Sequence, residues 1–148
     1  LETSDELMAR LAQIAAPLCA DTVRAIAAGT APRTPQEQEK ATYAPMLSKE
    51  ESPIDWNQPA RFVVDHVRGL VPWPVATARL GGTDFKIYRV EYTDQKTDLA
   101  PGSLVALTKK GLLVACAGGD VLLVRELQAQ GSKRMGAADY FRGHPITI

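Results

Sequence analysis

From Val75 onward, glycine-bearing turns cut the chain into short runs rich in aliphatic and β-branched residues. In order these are "VATARL", "GGT", "FKIYRVEY", a loop "TDQKTDLAPG", "SLVAL", "TKKG", "LLVACA", "GGD" and "VLLVREL". Runs of roughly five to nine residues between such turns have the length and composition of strands. Five of them in about fifty-five residues predict a mainly β domain: a small antiparallel Greek-key barrel of the oligonucleotide-binding (OB) type. A short helix, "AADYF", follows the last run.

A five-stranded barrel leaves one end open, and the stretch before the strands supplies a helix to close it. In "IDWNQPARFVVDHVRGLVPWP", Asn57 is the expected cap and Pro59 suits the first turn. Phe62, Val63, Val67 and Leu70 form the apolar face, and Gly69 ends the helix. Trp56 and Trp73, both tryptophans of the chain, stand at its two ends. Each could bury on the order of 200 Å², so both are expected to act as structural anchors fastening helix to barrel.

The amino-terminal part reads differently. Thr3 to Ala28 is expected to be an amphipathic helix, capped by Thr3 or Ser4, with Asp5 and Glu6 at its electropositive start. Leu7, Leu11, Ile14, Leu18 and Ala25 recur at helical spacing, Gly29 supplies a stop, and Pro17 is expected to kink or split the helix. Such a stripe has no core of its own and needs a partner. From Thr30 to Pro53, four prolines interrupt a polar run without sustained period, which predicts an extended linker.

Formal net charge is zero, but residues 1–60 carry 5 basic and 9 acidic side chains, and residues 61–148 carry 12 and 8. The excess on the second part suits a polyanionic partner. No apolar run approaches the ~18 residues that span a bilayer. Cys19 and Cys116 lie far apart in apolar contexts and are expected to be buried free thiols of a reducing cytoplasm. His66 is placed on a solvated or flanking face and His144 in the tail; without a third ligand they make no zinc site. No "GxSxG" elbow is present, and "GGD" and "GGT" are hairpin chemistry rather than phosphate cradles. No catalytic residue and no metal ligand is therefore assigned.

Basic residues are the remaining candidates. Arg33, Lys40 and Lys49 lie in the linker, Lys109 and Lys110 at a hairpin tip, and Lys133 and Arg134 after Gly131 in a loop before the last helix. Hairpin-tip lysines are ordinarily just solvated.

The segments "ATYAPMLSKEESPIDW", "VRGLVPWPVA", "APGSLV" and "LQAQGSKRM", in this order, resemble the carboxyl-terminal part of the methionyl-tRNA formyltransferase family. Its more specific marks are "LSKEE..IDW", "PWP" and "LQ..G.KRM". The resemblance implies that residues 1–29 are the last helix of an amino-terminal formyltransferase domain lying outside this chain, residues 30–53 a linker, and residues 54–148 an OB-like tRNA-binding domain. It implies a co-substrate, 10-formyltetrahydrofolate, for that other domain and no cofactor here. The partner it implies is initiator methionyl-tRNA, with a cytoplasmic, monomeric enzyme acting in translation initiation. The family's "SLLP" loop is absent from this sequence, so the chain alone is expected to be inactive. Under this resemblance Lys133 and Arg134 match a basic "GKKRM"-like loop, and phosphates are gripped by Lys and Arg with little reading of sequence.

Two positions depart from the family pattern. Met46 stands where relatives often carry a lysine, and Ser132 replaces one lysine of the loop. The basic track is thinner, and binding by this part alone is expected to be weak and salt-dependent. Two alternatives fit the same residues: a sugar-nucleotide or folate formyltransferase using this domain as a prop, and a non-enzymatic OB-like interaction module.

Overall fold

The computed structural model describes residues 2–148. They fall into two compact units: one of residues 5–46, the other of residues 47–148 together with residues 2–4.

The smaller unit is built on α1 (Ser4–Ala27), which has no buried residue. It runs through Pro17 without a break, so the expected split does not occur. Its exit follows the Schellman pattern: Gly29, at φ +70°, donates to the Ile26 carbonyl and Thr30 to that of Ala25. The striped residues Leu11, Ile14 and Leu18 are all exposed. Cys19, on the same helix, is exposed too, against expectation. Beyond α1 the chain is exposed, with one 3₁₀ turn at Gln38–Lys40.

The larger unit is an antiparallel sheet of β1 (Ala76–Leu80), β2 (Thr83–Lys96), β3 (Leu104–Thr108), β4 (Gly111–Ala115), β5 (Asp120–Ala129) and β6 (Met135–Gly136). The order is β1-β2-β5-β4-β3, with β6 on β5. Strand β2 lies beside β5 rather than β3, which makes β2 to β5 a Greek key. Among the described residues β1 and β3 share no ladder, so the expected barrel does not close through hydrogen bonds. Strand β2 also runs four residues beyond Tyr92, into what reads as loop, and β6 was not foreseen.

Helices α2 (Ala60–Gly69) and α3 (Ala137–Gly143) cover the core face. Val63, Val64 and Val67 of α2 meet Ile87, Val114, Val124 and Leu127 of the sheet, all essentially excluded from water. Burying each such side chain stabilises by about 1.5–3 kcal/mol. Phe62 points away and is 60% exposed, so it does not belong to the apolar face. The helix cap is Pro59, not Asn57. Asn57 is drawn instead into a turn around Asp55, whose carboxylate accepts from the Asn57 backbone and side chain and from Gln58, all at 3.0 Å. The Gln58 and Asn57 bonds hold that carboxyl below its ordinary range. From α3, Phe141 and Tyr140 meet Phe85 edge-on, with centroids 5.7 and 5.3 Å away. A second cluster, Leu113, Val121 and Leu123 under Val105 and Ala106, covers the opposite face of the sheet, which is why every residue of β4 is buried. Cys116 is buried in the main core, and desolvation pushes its thiol up.

The two tryptophans behave differently. Trp56 is buried, its carbonyl accepts from Ala117, and its indole lies so close to Gly102 that an added Cβ would stand 3.3 Å from the ring. Trp73 is 53% exposed and is no anchor. It sits between two cis X-Pro bonds, Val71–Pro72 and Trp73–Pro74, in a turn whose inward residues are Val71, Pro74 and Val75. His66, expected on a solvated or flanking face, is partly buried, and its Nε2 is enclosed without a hydrogen-bond partner.

Candidate nucleic-acid interface

Paired bulges in the central ladder bring several basic side chains to one groove. Ile87 pairs with Leu127 and Val90 with Val124, but between them Arg89 faces Glu126, which leaves one extra residue on each strand. Ile87 and Val90 can therefore both point inward although three positions apart, as can Leu127 and Val124. Strict alternation from Phe85 and Ile87 would have sent Arg89 and Glu91 into the core. Instead Arg89, Glu91, Arg125 and Glu126 line a surface groove of about 500 Å³, completed by Lys109, Lys110 and Asp139 with two small residues of the β6–α3 corner.

Each element of the groove is fixed locally. The hairpin tip is tied by the Thr108 hydroxyl, which donates to the Gly111 carbonyl and accepts from the Lys110 amide. Gly111, at φ +148°, passes so near the Val124 carbonyl that a Cβ would lie 2.1 Å from its oxygen, so only glycine fits. Arg125 reaches across, donating to the Lys110 carbonyl at 3.0 Å and pairing with Glu91 at 3.4 Å. Asp139 pairs with Arg142, and Glu126 with Arg134. All three acids of the groove are thus engaged, whereas Lys109 and Lys110 form no ion pair among the described residues and stay exposed. The balance is positive.

The loop carrying Lys133 and Arg134 adjoins this groove through Glu126. Gly131 turns it at φ +76°, and the Ser132 hydroxyl donates to Ala129 at 3.0 Å. Ser132, which costs the loop a charge, closes its turn. Lys133 is exposed and unpaired among the described residues. Lys49 begins a 3₁₀ turn, Lys49–Glu51, in which Glu51 accepts from the Ser48 amide; it is exposed but not part of the groove. Arg33 and Lys40 belong to the smaller unit, and Lys40 is paired with Glu37 at 2.6 Å. Of the basic residues singled out in the sequence, the fold brings Lys109, Lys110 and Arg134 to one neighbourhood. It adds Arg89, whose signal was an arginine at a position where an unbroken strand would face inward, and Arg125, the extra residue of β5. The described residues contain no group of three or more His, Cys, Asp or Glu that could hold a metal, and no helix long and apolar enough to cross a membrane.

Residues 46–145 match the family described as "Formyl transferase, C-terminal domain", and the chain belongs to that family. Its relatives bear a more particular name. A methionyl-tRNA formyltransferase of Moorella thermoacetica is 41% identical over 97% of this chain and 46% of its own length. Those of Trichlorobacter lovleyi and Bacillus velezensis are each 37% identical, over 99% and 93% of this chain and 46% and 43% of their own lengths. The chain thus spans less than half of these relatives. Among solved structures, HypX from Aquifex aeolicus shares the fold at 17% identity: one variant has a TM-score of 0.64 over 87% of this chain and 23% of its own, and the complex with tetrahydrofolic acid a TM-score of 0.60.

Proposed function

We propose that this chain is the tRNA-gripping carboxyl-terminal part of a cytoplasmic methionyl-tRNA formyltransferase. The observation that carries the reading is the identity of 35–41%, over nearly the whole chain, to proteins of that name. In the reaction proposed for the whole enzyme, the methionyl α-amino nitrogen attacks the formyl carbon of 10-formyltetrahydrofolate. A new N–C bond forms, the bond to folate N10 breaks, and the proton lost by the amine is balanced by one gained at N10, which leaves as tetrahydrofolate. That chemistry belongs to the part of the relatives this chain does not span. The present residues bind: Lys109, Lys110, Arg89, Arg125 and Lys133 meet backbone phosphates, and Arg33, Lys40 and Lys49 extend the contact along the chain. Contacts of this kind release counterions and fix a helical stem by its shape.

The test is a titration of initiator tRNA with the chain across a salt series. Each phosphate contact removed reduces the slope of log affinity against log salt by roughly 0.7–0.9. K109E/K110E is expected to weaken binding and flatten the slope, and K133E to do so by about one contact. Unchanged affinity and slope in both variants would overturn the reading.

A further inference from the structure

Arg134 is not a free surface cation. Its Nε and Nη2 both donate to one oxygen of Glu126, at 2.9 and 2.5 Å, and its Cζ lies 4.5 Å from the centroid of the Tyr88 ring. Tyr88 is itself held: its hydroxyl donates to Gln128 Oε1 at 2.7 Å, and Gln128 Nε2 donates to the Ser132 carbonyl at 2.8 Å. One residue beyond Arg134, β6 pairs back onto Glu126 and Leu127. The guanidinium is therefore fixed from below by a ring, from one side by a carboxylate, and at its backbone by a strand. Tyr88 and Glu126 both come from the bulged stretch of β2 and β5.

We infer that Tyr88 and Glu126 are positioning residues that hold Arg134 in one orientation, with Nη1 presented to an RNA phosphate. This rests on the reading that the loop touches tRNA. A long arginine ordinarily loses rotamer freedom when it binds, and one already immobilised does not. Glu126 takes Nε and Nη2, and Nη1 keeps the side of the fork suited to an incoming oxygen. The alternative role for Glu126 is to neutralise Arg134, and the two roles differ in sign. As a neutraliser, Glu126 weakens RNA binding and its loss strengthens it, whichever uncharged residue replaces it. As a positioner, it must be replaced by a group that still accepts the two hydrogen bonds.

The decisive comparison uses the full 148-residue chain and an initiator tRNA transcript. E126Q keeps an acceptor and is expected to bind at least as tightly as the parent. E126A frees the arginine and is expected to bind about three- to tenfold more weakly than E126Q, the cost of ordering one flexible side chain. Y88L, which removes the ring, is expected to weaken binding relative to Y88F, which keeps it, so the comparison survives if one variant fails to fold. R134Q separates the two layers: it should weaken binding and flatten the salt slope by roughly 0.7–0.9. If R134Q binds like the parent, Arg134 does not contact RNA and the reading beneath the inference falls. If R134Q weakens binding while E126A matches E126Q and Y88L matches Y88F, the positioning role alone is overturned.

Discussion

At Val75 the backbone takes φ +70°, a left-handed conformation that a β-branched side chain rarely adopts, and yet the residue is buried. The surroundings impose it: the Val75 amide donates to the Leu70 carbonyl at 2.9 Å, closing the turn that returns the chain from α2 to β1. The side chain gives packing and the backbone gives strain. Replacing Val75 separates them. V75A loses buried methyls and keeps the strain, whereas V75G loses slightly more surface and releases it. V75G is therefore expected to be more stable than V75A by about 1 kcal/mol, the reverse of the usual order, as urea unfolding would measure. Single residues were unevenly legible in the sequence. Trp56 and Trp73 look equivalent on paper, but the neighbour that decides the matter is remote: Gly102 leaves room for the Trp56 indole, and nothing in the sequence says which tryptophan it faces.

Glycine turns and apolar runs located the elements well, because both are local properties. Five strands and both short helices stand where the pattern puts them, to within a few residues. The register is not local. The extra residues that turn Arg89 and Arg125 into groove residues exist only as a relation between β2 and β5. The same limit hides β6, two residues long, which is a strand only because Glu126 and Leu127 lie opposite. For α1 both the stripe and its exposure were legible, since a lone amphipathic helix has no core of its own and every residue of the stripe is at most partly covered. A helix with no buried residue depends on its own hydrogen bonds, while β4 is buried throughout. Hydrogen exchange is expected to reach the α1 amides orders of magnitude faster than those of β4 and β5. Comparable protection in dilute solution would mean that the apolar stripe is covered.

At the scale of the molecule, the division falls between Met46 and Leu47, so Lys49 and the "IDW" segment belong to the same unit as the sheet. That placement has a reason beyond the helix it introduces. The Thr77 amide donates to the Ser52 carbonyl at 2.7 Å, and the Ile54 amide donates to the Thr77 carbonyl at 2.8 Å. Pro53, between them, bridges Thr77 in parallel and has no amide to offer. These residues occupy the outer edge of β1, where an open sheet would otherwise display unpaired peptide groups to any passing strand. The strap is thus a guard against self-association, and its proline makes it a poor template for adding a further strand. A chain beginning at Leu47 keeps the guard, whereas one beginning at Asp55 keeps Trp56 and the core but bares the edge. Light scattering over a concentration series is expected to show the shorter chain associating where the longer does not. The few residues that lead into α2 would then also keep the sheet from adding a neighbour's strand.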